Sequence, residues 1–393
     1  MKRLLVCLQS VLLLAALTFA GSMPLARGAQ PEHAVIFIID RLSYKALSRL
    51  PLKNLQALAA RGTYYEKSNT VLPAHPVTGE WARHHRSSIP NPVIFAGTFL
   101  LRPDQKYVQE SFFPDRITAN AVNDDAYTAF NVGFNLTFQA GPMNGGRAND
   151  GQTIVWAIEF LRKVRPAFMR VHLQDTGSAG FRCYAATDRS LPWWRNIWGE
   201  GSPYTKAAVQ ADECLGMFSN ELKALGLLEK TVLFVTADHG EADRGWHTFT
   251  DEDGWAMPLV LAGPGIRQGQ KFDYAEQIDI VPTLCHLMRV KPPENADGRT
   301  LAEALVEAPR SAPRKCEVRE LNKLLLEGDA LLGKLRHKVE TEFSLRPVLI
   351  EAEHDFYGVE RILEWHRFGS LDKLLEHNRH VVERVSAAMS GTQ

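Results

Sequence analysis

Two carboxylates and an imidazole stand at the ends of apolar runs in this 393-residue chain. Asp40 closes the run His33-Ala34-Val35-Ile36-Phe37-Ile38-Ile39. Asp238 and His239 follow Thr231-Val232-Leu233-Phe234-Val235-Thr236 across a single alanine. A carboxylate at the carboxyl end of a buried strand is costly unless it is paired or holds a cation. Asp and His in succession put oxygen and nitrogen on one loop, a donor set that suits zinc, manganese and similar ions. Gly240 lets the backbone turn sharply beside them. An isolated Asp-His-Gly is usually an ordinary turn; the preceding strand and the matching Asp40 tip the balance towards a metal. His247 follows in the same loop and is a further candidate ligand, against the plainer alternative of a surface histidine.

The elements that must position these groups read as alternating strands and helices. The two runs above are continuous and β-branched, the pattern of parallel strands covered on both faces. Further strands are expected over Thr63–Leu72, Phe168–Leu173 and Pro258–Ala262, and helices over Leu52–Arg61, Thr78–Arg86, Gln152–Val164 and Tyr204–Leu225. That order predicts an α/β fold, a doubly wound, mostly parallel sheet flanked by helices. Open sheets of this kind place ligands at the carboxyl ends of their strands, where Asp40 and Asp238 fall. Residues 87–151, rich in Pro, Gly and Asn, read as loops and short strands over the site. Beyond the Pro-containing stretch near Ala308, charged helix-forming segments around Leu321–Glu340 and Val359–Leu375 predict a helical C-terminal extension over 309–393.

At this point the residues resemble the alkaline phosphatase superfamily. Phe37-Ile38-Ile39-Asp40, Thr236-Ala237-Asp238-His239-Gly240-Glu241 and Pro258-Leu259-Val260-Leu261-Ala262-Gly263-Pro264-Gly265-Ile266 carry the likeness. Asp279-Ile280-Val281-Pro282-Thr283-Leu284 with Asp297-Gly298-Arg299 is similar to its sulfatase-type closing segment. The resemblance spans roughly residues 33 to 302. It implies a metal cluster, a covalent nucleophile, and transfer of phosphoryl or sulfuryl groups. Asp40, Asp238 and His239 match the ligands of one metal in two-metal members, and His247 a ligand of the other.

For the nucleophile, Thr78-Gly79-Glu80-Trp81 resembles the Thr-Gly-His-Trp segment of phosphopentomutase-type members. Thr78 would open a helix, where free N–H groups favour an anion. Thr70, in Thr70-Val71-Leu72-Pro73-Ala74-His75, loosely resembles the phosphodiesterase branch and is the alternative; either threonine is otherwise a helix cap or a strand residue. Arg86, beside His84 and His85, is a candidate for binding substrate oxygens, against a solvated polar face. Trp193, Trp194 and Trp198 form an aromatic cluster that lines a pocket or packs beneath a loop.

Two departures bear on the reading. The sulfatase nucleophile motif, Cys or Ser then x-Pro-x-Arg, is not found in this region. Where two-metal members carry Asp-x-x-Gly-His, this chain has Gly177 in the Asp position and Phe181 in the His position. Asp175 substitutes by a two-residue shift, with His172 nearby; otherwise that site is incomplete.

The leading expectation is an exported hydrolase of phosphate mono- or diesters with a threonine nucleophile. The alternatives are a sulfatase-like sulfuric ester hydrolase and a catalytically degenerate binding module of the same fold. The cofactor is a divalent metal, zinc first, with manganese, magnesium or calcium as alternatives. Lys+Arg and Asp+Glu both number 45, so no global field recruits nucleic acid or an anionic membrane. The expected partner is a small-molecule ester, and the oligomeric state stays open.

Residues 1–29, with Lys2 and Arg3 before an apolar stretch and small residues at its end, read as a signal peptide. The uncleaved-anchor alternative is weaker, and no stable membrane insertion is expected after removal. The protein is thus expected in the periplasm or outside the cell. Cys183, Cys214, Cys285 and Cys316 would remain, as disulfides or as buried thiols.

Overall fold

Strand β1, His33–Ile39, lies in the middle of the sheet and is buried from Ala34 onward. Its continuous apolar sequence follows from that position: both faces meet hydrophobic layers, so neither parity can be polar. The computed structural model describes residues 30–72, 96–99, 106–123, 132–139, 148–247, 250–294, 296–310, 314 and 316–391. The first helix, α1, is the short Ala46–Arg49 and α2 is Lys53–Ala60. Strands β2, Thr63–Asn69, β3, Thr118–Val122, and β4, Leu136–Gln139, precede α3, Asp150–Val164. Then come β5, Phe168–Leu173, α4, Asp175–Ala185, α5, Pro203–Ala224, and β6, Thr231–Thr236. Strands β7, Ala256–Ala262, and β8, Gln270–Glu276, complete the sheet, and α6 is Ile280–Met288.

The eight strands are ordered β4-β3-β5-β1-β6-β7-β2-β8. β1 pairs in parallel with β5 and β6, and β7 alone runs against the others. One face, through Val35, Phe37 and Ile39, packs on α2, α3 and α5. The other, through Ala34, Ile36 and Ile38, packs on α6 and on the 3-10 turn Val108–Phe112. Burying each such large side chain contributes roughly 1.5–3 kcal/mol. The expected α/β architecture is thus the observed one.

Several expectations shift in detail. β3 and β4, in the segment read as cover for the site, instead extend the sheet beyond β5. The second strand stops at Asn69 and leaves Thr70 in the loop beyond it. β8 and α4 have no counterpart in the sequence reading.

The C-terminal segment is helical, as expected: α7, Val318–Val339, α8, Arg346–Asp355, and α9, Leu371–Met389. The segment expected as one helix over Val359–Leu375 is broken at Gly369 (φ 72°) into a 3-10 stretch and the start of α9. These helices share a hydrophobic core with Val71, Leu72, Trp255 and Ile278. Asn322 of α7, fully buried, closes the joint. Its amide donates to the Thr70 carbonyl (2.8 Å), and its oxygen accepts from the Leu72 N–H (3.0 Å). The four cysteines after residue 29 are free thiols. Residues 1–29 lie outside the described residues. Among those described, no helix is long and apolar enough to cross a membrane.

Candidate metal centre

The register of three adjacent strands builds the site. Ile38 pairs with His172 of β5 on one side and with Thr236 of β6 on the other. Side chains two residues apart share a face. Asp40 and Asp238 therefore continue the parity of Ile38 and Thr236, and His172 stands one step behind them on the same face. Asp40, His172 and Asp238 are 3%, 0% and 1% exposed, and one ligand atom from each lies within 4.8 Å of the others. Among the described residues this is the group of acidic and imidazole side chains that closes to metal-binding size. His172 Nε2 stands 4.0 Å from Asp40 Oδ2.

His239 and His247 border this group. His239 Nε2 is 3.5 Å from Asp238 Oδ2, while its Nδ1 faces the Gly240 carbonyl at 3.0 Å. The His247 ring lies 4.4 Å from the His239 ring and stacks on Trp246 at 4.2 Å. Burial lowers the His239 pKa to about 4 and holds His172 well below its ordinary value, with Arg41 and Arg170 respectively adding to the shift. Both imidazoles are thus neutral at physiological pH, the form that ligates metals.

The carboxylates are shifted the other way. Burial raises Asp238 to about 6, partly offset by the Arg41 backbone N–H, which donates to Asp238 Oδ1 at 3.0 Å. Burial raises Glu241 to about 8, opposed by the Arg41 charge. Glu241 is fully buried, and its carboxylate makes no hydrogen bond among the described residues; Arg41 stands 3.8 Å away. Arg41, in the left-handed region at φ 55°, is also 3.5 Å from Asp40 and lies over the Trp246 ring. Among the described residues the Arg41 guanidinium stands beside Asp40 and Glu241, and its backbone N–H serves Asp238. Buried carboxylates beside neutral imidazoles, with an O/N/O donor set already converged, fit a bound divalent cation.

Helix α4 carries the second departure noted above, Gly177 and Phe181. A Cβ on Gly177 would fall 1.7 Å from Asp40 Oδ1, and one on Gly180 would fall 2.4 Å from Glu241 Oε1. The space that a side chain would fill at these positions is taken by the acids of β1 and the β6 loop. Phe181 points to solvent at 46% exposure. Asp175 stands at the start of α4, where a carboxylate is favoured by the helix dipole, and its Oδ2 accepts from the Asp150 N–H at 3.0 Å. It lies outside the three-residue group. Asp150, buried behind it, is raised to about 7 by burial and by Asp175.

Thr70 lies on the same edge of the sheet. Its N–H donates to the Trp255 carbonyl at 3.0 Å, and the Gly240 N–H donates to the neighbouring Gly254 carbonyl at 3.1 Å. The Thr70 hydroxyl is buried and has no hydrogen-bond partner among the described residues. Thr78, His84, His85 and Arg86 lie outside the described residues. Trp193 and Trp198 pack about Ile197 and Tyr204, and the Trp194 indole donates to the Ala186 carbonyl. Glu241 and Asp150 were not singled out by sequence reasoning, and His172 only as a neighbour. The usable signal for His172 was a polar residue alternating with apolar ones in a strand otherwise built for burial.

A sulfatase family model matches residues 105–290, from just before β3 to just past α6. The fold agrees with solved neighbours. BT1596, a 2-O GAG sulfatase, superposes at TM-score 0.51 with 16% identity, covering 72% of this chain and 76% of that one. The fold is that of the alkaline phosphatase superfamily. Human ectonucleotide pyrophosphatase/phosphodiesterase 5 superposes at TM-score 0.50 with 11% identity, covering 70% of this chain and all of that one. Among curated superfamily relatives, arylsulfatase K of Gallus gallus is 32% identical over 121 residues, 28% of this chain. The match spans only 23% of that relative's length.

Proposed function

We propose that the chain is a metal-dependent hydrolase of phosphate esters that acts through a threonine hydroxyl. The convergence of Asp40, His172 and Asp238 to within 4.8 Å at the carboxyl edge of the sheet carries this reading. These three side chains would hold the cation, with His239 and His247 bordering it and Asp175 on the cleft wall as a further candidate. Zinc suits the donor set first, and manganese, magnesium or calcium follow. A bound divalent ion supplies Lewis-acid polarisation of the ester and lowers the pKa of a nearby hydroxyl.

The protein's own groups do the rest. Arg41, anchored by Asp40, Glu241 and Trp246, offsets the carboxylate charge. The threonine oxygen, Thr78 by preference and Thr70 as the alternative, forms a bond to phosphorus while the bond to the alcohol oxygen breaks. Arg86 offsets charge on the transferred oxygens, and water then cleaves the phosphothreonine.

A second reading, sulfate ester hydrolysis, is favoured by the sulfatase family match. Residues 30–308 would form the hydrolase domain and 309–393 its helical extension. The leading 29 residues would direct export to the periplasm or beyond. Nitrophenyl phosphate, bis-nitrophenyl phosphate and nitrophenyl sulfate separate the classes, with metal content measured on the same preparation. The expected result is turnover of a phosphate ester, lost in Thr78→Ala. Loss in Thr70→Ala instead moves the nucleophile, and turnover of the sulfate alone selects the second reading. Absence of both metal and turnover leaves a binding module.

A further inference from the structure

A cleft of about 1180 Å³ opens from Asp40 along the groove between α4 and α5. That volume accommodates a ligand well beyond a phosphate or sulfate group. Its walls are asymmetric. At the inner end stand Asp40 and Asp175. Further out α4 presents Phe181 and Arg182, and α5 presents Lys206, with Trp246 closing the side towards His247.

Arg182 and Lys206 are exposed and make no salt bridge or side-chain hydrogen bond among the described residues. Elsewhere on the surface many cations are matched to acids, as Arg162 is to Glu221 and Lys271 to Glu66. Phe181 and Trp246 meet at 5.4 Å and give the same cleft an aromatic wall, with Phe181 among the more exposed large apolar side chains. Cations without a salt bridge among the described residues, beside the exposed Phe181 ring, form a surface for a flat-sided anion.

We infer that this cleft binds the alcohol part of the ester, and that this part carries a second negative charge beside a flat apolar face. The inference rests on the hydrolase reading for the direction of binding: the transferred group sits at Asp40, and the remainder extends between Arg182 and Lys206. Arg182 stands five residues beyond Gly177 on α4, roughly 7.5 Å further along the helix axis, so recognition of the anion is separable from the chemistry.

Two ligand pairs test this by calorimetry without requiring turnover: 4-(hydroxymethyl)benzoate against benzyl alcohol, and methyl glucuronoside against methyl glucoside. The first pair probes an aryl source for the flat face and the second a sugar source. The carboxylated member of at least one pair should bind about tenfold tighter, as two partly exposed charge contacts allow. Arg182→Gln combined with Lys206→Gln should erase that ratio. Both positions are exposed, and a thermal melt of the double variant confirms that it is folded. Equal affinities within both pairs, or a preference that persists in the double variant, overturns the inference. A charge preference that depends on these residues, in a protein that hydrolyses none of the nitrophenyl esters, keeps the anion site and removes the hydrolase reading. Turnover without the preference does the reverse.

Discussion

Gly177 shows how closely the centre is packed. Its missing side chain leaves Asp40 the space to lean towards His172 and Asp238, because a Cβ there would lie 1.7 Å from Asp40 Oδ1. Gly177→Ala must push Asp40 aside by rotation or by moving α4. Overpacking of this kind costs about 1–3 kcal/mol of stability. The sharper consequence is for the cation: a displaced ligand should weaken divalent metal binding at least about tenfold, or about 1.4 kcal/mol. Calorimetric titration of zinc or manganese into chelator-stripped protein measures this directly. Asp238→Asn, which keeps the shape and removes the charge, should weaken binding without the steric cost. Unchanged affinity in both variants would move the metal away from this group.

At the scale of elements, the legible parts of the chain were those whose burial is symmetric. β1 and β6 are largely continuous apolar runs, and their ends placed Asp40 and Asp238 at the edge where they are found. β3, read Thr-Ala-Asn-Ala-Val, and β8, read Gln-Lys-Phe-Asp-Tyr-Ala-Glu, are held by sheet pairing that their own composition does not announce. α4 was hidden because Gly177 and Gly180, poor helix formers, are there for the acids they abut. His172 was hidden because its role depends on register with Ile38, which only pairing fixes. The C-terminal helices were legible as helices, but their joint to the loop after β2 was not.

That joint invites a test. Asn322→Leu would leave the Thr70 carbonyl and Leu72 N–H without partners in a buried setting, at about 1–3 kcal/mol for each unsatisfied group. The expected loss is about 3 kcal/mol in urea unfolding, far above the effect at an exposed position of the same helix. Asn378 clamps the backbone of Tyr357 in the same two-point way, at 3.0 and 3.1 Å, so Asn378→Leu provides an internal comparison remote from the metal centre. If Thr70 is the nucleophile, only the Asn322 variant should also lower kcat.

Across the whole molecule the buried charges set a pH dependence whose sign can be worked out. Asp238 and Glu241 titrate at about 6 and about 8 in the folded protein, above ordinary carboxylate values, because burial penalises their ionised forms. Asp150 and Glu276, raised to about 7, act in the same direction. A folded state that holds protons the unfolded chain has released loses stability as pH rises through those values. His172 and His239 oppose this: lowered in the folded state, they favour it increasingly as pH rises towards about 6.5, where the unfolded imidazoles finish losing their protons. Between about pH 4 and 6 the two imidazoles offset only about half of the fall set by the four acids. Above about pH 6.5 the histidines are silent and the acids remain.

In chelator, then, unfolding free energy should fall between pH 6.5 and about 8. The slope approaches about 1.4 kcal/mol per pH unit for each proton still held. A saturating divalent cation should flatten the fall, because it stabilises the ionised carboxylates in place of protons; at a hundredfold excess over Kd it adds about 2.7 kcal/mol. Urea titrations at pH 6.5 and 8, with chelator and with metal, give the four values needed. A flat or rising profile in chelator would mean that the acids around Arg41 are ionised at no cost, and the burial penalty that a cation would relieve would disappear with it.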